Sequence, residues 1–180
     1  MRPSSRNLIL DAAVRVTERE GITGLTLESA AEEAGVTKGG LMYHFRTRDE
    51  LLIAIHRHLT SAWDEQLSAE LGKPLAEAST RETIAAYTRV GARVGTKADL
   101  AFMIESVSHP GLAQVWNELM SRWAPLPESV DPRDVDLLLA RMAVDGLWLY
   151  QATYGAVLPE DVRAALTERL STLCEEGDSP

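Results

Sequence analysis

The feature that most constrains this chain is its punctuation. Apolar residues at helical spacing are interrupted again and again by residues that start or stop helices. From Ser5, the positions Ile9, Ala12, Ala13 and Val16 share one helical face, and Gly21 is a natural C-terminal stop. Thr26 precedes a short Ala/Glu-rich helix, Leu27 to Ala34, closed by Gly35, and Thr37 caps another very short one through about His44. Thr47-Arg-Asp-Glu50 has the capping-box form and opens a long helix whose stripe, Leu51, Ile55, Leu59, Trp63 and Leu67, runs until Gly72 and Pro74. Ser79-Thr-Arg-Glu82 is a second capping box, for a helix to about Val94. Leu100, Met103, Ile104 and Val107 form a short apolar face before His109-Pro110. Leu112, Val115, Trp116, Leu119, Met120 and Trp123 form the next, closed by Pro125 and Pro127. Asp131-Pro132 supplies an N-cap and an N1 proline for a helix to about Tyr154. Pro159 opens a last helix carrying Val162, Leu166, Leu170 and Leu173, with Gly177 beyond it. There is no strand alternation of useful length and no internal repeat, so the expectation is an all-α fold of about nine helices.

At 180 residues, 45% hydrophobic and 25% charged, the chain has the composition of an ordered globular protein. No apolar run approaches the roughly 20 residues that span a bilayer, and the first residues lack a signal-peptide core. Cys174 is the only cysteine, which excludes an intrachain disulfide and a multi-thiolate metal site. These facts predict a soluble, cytoplasmic protein with no membrane partner. The net charge of −9 is unevenly spread: residues 1–60 hold eight Lys/Arg against eight Asp/Glu, residues 61–180 ten against nineteen. Carboxylates stop at Glu33 and resume at Asp49, and between them lie Lys38, His44, Arg46 and Arg48. A neutral-to-basic face of this kind can meet a phosphate backbone while the acidic remainder points away.

The two short helices joined by Gly35-Val36 have the form of a helix-turn-helix, in which the first helix braces the DNA backbone and the second enters the major groove. Gly35 suits the turn, and Ala30, Ala31 and Ala34 are small enough for close helix approach. Gly39 and Gly40 bring the second helix's backbone near its target. Backbone N–H groups near Thr26 and Thr37 are natural phosphate partners.

The wider string, from Gly24-Leu-Thr-Leu-Glu-Ser through Gly35-Val-Thr-Lys-Gly-Gly-Leu-Met-Tyr-His-Phe-Arg-Thr-Arg-Asp-Glu-Leu-Leu52, closely resembles the DNA-binding signature of the tetracycline-repressor (TetR) family of bacterial transcription regulators. The resemblance covers about residues 5–60. It implies a DNA-binding domain over 1–50 and a helical effector-binding and dimerisation domain over 51–180. It further implies a homodimer that binds an operator in double-stranded DNA and leaves it when a small-molecule effector binds. Carried over residue by residue, Thr26 is a helix-start phosphate contact, and Thr37, Lys38 and Gly39 open the recognition helix. Tyr43 and His44 meet phosphates, Phe45 plugs the core beneath them, and Arg48 holds a phosphate. Met42 stands where the family often has Tyr, and Gly40 where it often has a polar residue. Sparse base reading is therefore expected, with more weight on backbone contacts and DNA shape.

Beyond residue 51, Trp63, Phe102, Met103, Trp116, Met120, Trp123 and Trp148 are candidates to line an apolar effector pocket, with Glu105 and Asn117 among its polar groups, or else to form plain core. Leu138, Met142 and Leu149, with Val162, Leu166, Leu170 and Leu173, are expected to form a four-helix interface between two copies. Arg141 and Asp145, one turn apart, are placed to pair. Nucleotide-binding glycine fingerprints, hydrolase elbows and His-Glu-x-x-His are all missing, which argues against an enzyme and calls for no cofactor or metal. The alternative to ligand release is a DNA-binding regulator that answers to a protein partner or binds constitutively.

Overall fold

The computed structural model describes residues 4–93, 95–155 and 158–175, and every regular element among them is helical. In order these are α1 (Ser5–Glu20), α2 (Leu27–Glu33), α3 (Lys38–His44), α4 (Arg48–Leu71), α5 (Thr80–Gly91), α6 (Lys97–Ser108), α7 (Pro110–Trp123), α8 (Pro132–Tyr154) and α9 (Glu160–Glu175). Short 3-10 turns sit at Ile22–Gly24 and Leu75–Glu77. The all-α expectation therefore holds. Helix α5 stops at Gly91, short of the expected end; Val94 and Gly177 lie outside the described residues.

The caps explain most of the boundaries. The Ser79 hydroxyl accepts from the Glu82 N–H, and the Glu82 carboxylate accepts from the Ser79 N–H in return. At α4 the exchange is displaced by one residue: Thr47 Oγ1 accepts from the Glu50 N–H, while Glu50 reaches back to the Arg46 N–H at 2.7 Å. Two further boxes, Thr26 with Ser29 and Thr96 with Asp99, open α2 and α6.

The chain packs as two compact units, and α4 and α7 each contribute to both. The first comprises Met1–Ser61 and Thr96–Trp116, the second Ala62–Gly95 and Asn117–Pro180. In the first unit, Ile9, Leu10 and Val16 of α1 pack with Ala30, Ala31, Leu41, Phe45, Leu51, Leu52 and Ile55, and α6 adds Ala98 and Phe102. Helix α6 is fastened to α1 at its first turn, where the Ala98 N–H donates to Glu18 Oε2 at 2.6 Å. In the second unit, α5, α8 and α9 pack on one another. Helix α5 is buried nearly all round, and the hydroxyls of Thr83 and Thr88 are satisfied by the carbonyls of Thr80 and Ile84. The Tyr87 hydroxyl donates to Asp145 Oδ1 at 2.5 Å, and burial pushes both groups toward their protonated forms. Arg141 lies 3.8 Å from Asp145, the expected pair, and also donates to the Ala124 carbonyl.

Candidate nucleic-acid interface

Helices α2 and α3 are held by few residues, each with a definite task. Gly35 adopts φ +67°, a left-handed conformation that lets the chain leave α2 and return as α3. The Val36 N–H then closes the turn on the Ala31 carbonyl at 3.0 Å. Ala30 and Ala31 are buried, so small side chains set the spacing of the pair. Leu41 and Phe45 are the buried anchors of α3, which leaves its opposite side facing outward. Arg6 of α1 lies over the Phe45 ring at 5.3 Å, a cationic neighbour that sequence reasoning missed because α1 carries no motif.

On the outward side stand Thr37, Lys38, Gly39, Met42 and Tyr43, the last 86% exposed, with His44 half-buried beside it. The Tyr43 and His44 rings meet edge-on at 5.2 Å. Thr37 Oγ1 accepts from the Gly40 N–H at 3.0 Å, and a Cβ on Gly40 would come within 3.2 Å of that oxygen. The glycine at 40 therefore protects the cap of α3. A Cβ on Gly39 would meet nothing, so its bareness leaves room for something outside the chain. Thr26 is exposed at the start of α2, its hydroxyl engaged by the Ser29 N–H.

The charges are less free than the sequence suggests. Lys38 Nζ pairs with Glu28, and that lysine holds the Glu28 carboxyl below its ordinary range. Arg48, expected at a phosphate, has all three guanidinium nitrogens engaged within the unit. Nε donates to the Leu25 carbonyl at 3.0 Å, Nη2 to the Ile22 carbonyl at 3.1 Å, and Nη1 lies 3.5 Å from Glu105. It braces the turn that leads into Thr26.

The residues expected around an effector divide between the two units. Phe102, Met103, Glu105 and Trp116 belong to the first; Trp63, Asn117, Met120, Trp123 and Trp148 belong to the second. Phe102 and Trp123 are fully buried, and Trp123 Nε1 donates to Asp64 at 2.7 Å. Trp63 packs on Tyr87 at 6.1 Å, Met103 and Asn117 are exposed, and Glu105 is committed to Arg48. Of the residues expected at a subunit interface, Met142, Leu149, Val162 and Leu166 are exposed, and Leu138, Leu170 and Leu173 are partly so.

Comparison with known proteins fixes the family. Residues 9–55 match the model of bacterial regulatory proteins of the tetR family, and residues 77–175 match the tetracyclin repressor-like C-terminal domain. The HTH-type transcriptional regulator BetI of Paraburkholderia phymatum is 31% identical, over 92% of this chain and 89% of its own. BetI of Burkholderia cenocepacia strain J2315 is 32% identical, over 92% and 90%. Among solved structures, the multidrug binding protein EbrR in complex with ethidium is 25% identical with a TM-score of 0.62, over 94% of this chain and 99% of that one. A transcriptional regulator from Rhodococcus sp. Rha1 shares the fold, with a TM-score of 0.70 over 98% and 100% at 21% identity. Relatives of this kind are regulators rather than enzymes, and among the described residues no helix is long and apolar enough to cross a membrane. With both of its characteristic domains matched and its helix-turn-helix built as described, the chain belongs to the TetR family and is a DNA-binding transcriptional regulator.

Proposed function

We propose that the protein is a homodimeric, cytoplasmic repressor that a small aromatic effector releases from a palindromic operator. DNA binding is assigned to residues 1–50, effector binding and dimerisation to 51–180. One observation carries the DNA-facing part. Helix α3 is pinned by Leu41 and Phe45, so Thr37, Lys38, Gly39, Tyr43 and His44 share a side free of carboxylates on their own helix. With Thr26 they form the contact set, which works mainly on phosphates because Gly39 and Gly40 present no base-reading side chain. Arg48 supports that set from behind.

Dimerisation is supported by α8, where Val135, Leu139, Met142 and Leu149 form an exposed apolar stripe at helical spacing, with bare Gly146 in its middle. On α9, Val162 and Leu166 are exposed at the same spacing, and Leu138, Leu170 and Leu173 flank these rows. A two-fold pair presents two α3 helices, for half-sites about one DNA turn apart or a multiple. An aromatic effector is supported by EbrR, which has been solved with ethidium and with malachite green. The test is footprinting on the protein's own upstream region, followed by titration with aromatic compounds. Protection of an inverted repeat, relieved by a compound, is the expected result; protection that no compound relieves removes the effector from this reading.

A further inference from the structure

The cations around the helix-turn-helix are unequally committed. On α1, Arg15 and Arg19 both close on Glu33, at 2.8 and 2.9 Å. On α3, Lys38 pairs with Glu28, and Arg48 at the start of α4 is taken up by two carbonyls and Glu105. In the turn between α3 and α4 the Arg46 side chain is exposed, but the Glu50 carboxylate sits on that residue's own N–H at 2.7 Å and offsets its charge. Arg6 differs from all of these. It is exposed in the first turn of α1, which carries no acidic residue. Among the described residues its guanidinium meets no carboxylate and donates no hydrogen bond. What holds it is aromatic: Cζ lies over the Phe45 ring, 5.3 Å from the ring centre. Phe45 is the buried plug at the end of α3, so the seat itself is fixed. The His44 ring lies 6.2 Å from that of Phe45, and Tyr43 lies 5.2 Å from His44. Arg6 therefore closes a row of contacts that begins at the outward Tyr43.

We propose that Arg6 is a DNA-phosphate contact, seated on Phe45 so that the DNA-facing surface of α3 continues onto α1. It rests on the contact set assigned to α3 and extends that set to a residue outside the two-helix unit. A guanidinium over a ring face is held through its charge and keeps its fork of N–H donors for another partner. A phosphate can take two of those donors at once, which is the geometry in which arginine binds best. Lys38 must leave a carboxylate to meet DNA, whereas Arg6 gives up only water. Such a contact reads no base, so it acts on any duplex and sets affinity rather than sequence preference. Phe45 is then a positioning residue as well as part of the core, because it fixes where the charge stands.

The test uses the full chain and a scrambled duplex of about 30 base pairs, because a phosphate contact does not depend on the operator. Fluorescence anisotropy from about 20 to 200 mM salt gives the slope of log K against log salt for wild type, Arg6→Gln, Arg6→Lys and Lys38→Ala. Arg6→Gln should lower the slope by about 1 for each protomer engaged. Between about 50 and 200 mM salt it should therefore lose about fourfold less affinity per protomer than the wild type. Arg6→Lys should keep the wild-type slope, since an ammonium still displaces a counterion. Arg6 is exposed, so neither substitution disturbs the core. A residue that merely shields the Phe45 ring would give Arg6→Gln a lower urea midpoint with the slope unchanged, and that result would overturn the assignment. A slope reduced equally in Arg6→Lys would overturn it as well. If Arg6→Gln leaves the slope unchanged while Lys38→Ala reduces it, the assignment falls and the contact set of α3 stands. If the wild type binds no duplex at the lowest salt, both fall together.

Discussion

Arg48 offers the sharpest test of how charge is used in this protein. Replacing it with Met keeps most of the stem but removes two charge-assisted hydrogen bonds, to the carbonyls of Ile22 and Leu25, and the ion pair with Glu105. Hydrogen bonds of this type are worth about 1.5–3 kcal/mol each when buried. The Arg48 side chain is 37% exposed, so water replaces part of the loss. A net destabilisation of about 2 kcal/mol is expected, a drop in Tm of roughly 4–8 °C for a chain of this size. Operator affinity should fall because the turn before Thr26 loosens. The slope of log K against log salt should not change, since no phosphate contact is lost. Lys38→Ala should do the reverse. Its exposed, solvent-screened pair with Glu28 adds little to stability, while each lost phosphate contact reduces the slope by about 1. Urea melts and fluorescence anisotropy across a salt series read both quantities. A slope about 1 shallower in Arg48→Met, with unchanged melting, would refute the brace and restore Arg48 to the DNA.

Three further outcomes are expected. Gly24→Ala should destabilise the protein by about 1–3 kcal/mol in urea melts, because the new Cβ would lie 2.6 Å from the Glu20 Cβ, which cannot swing aside. Stability should fall by about 2 kcal/mol between pH 7 and pH 5 on account of His56: burial holds its folded pKa at about 4, below the unfolded value near 6.5, so the unfolded chain takes up the proton first as pH drops. The difference between wild-type and His56→Phe melts isolates that share from the carboxylates held below their ordinary range, Glu28, Glu33 and Glu82, which act in the same direction, and from Asp145, which acts in the opposite one. Leu139→Glu with Met142→Glu should convert the proposed dimer to a monomer in light scattering and weaken operator binding, while far-UV circular dichroism stays helical.

Helices were legible wherever a short-range signal marks an end. Ser79 with Glu82, Asp131 with Pro132, and Gly35 needed only neighbours a few residues away, and the structure bears them out. The apolar face from Leu100 marks α6 but not its start, which the Thr96–Asp99 capping box sets at Lys97, three residues ahead of the first apolar position of that face. The two-helix unit itself was legible from Gly35 and the alanines before it. The partners of its charges were not: Glu28 lies ten residues before Lys38, and Glu105 lies 57 after Arg48. His56 shows the same limit, since only the fold brings Trp116 to it, 60 residues on.

The pairing of Glu28 with Lys38 bears on how such a regulator finds its target. Where Lys38 faces a phosphate, the DNA must first displace a carboxylate that already occupies the ammonium, so each encounter with random sequence is held more loosely than the count of basic residues implies. Brief dwell on the wrong stretch means more stretches sampled per unit time. With Lys38 as a phosphate contact, an acidic residue one helix away would thus shorten each such dwell.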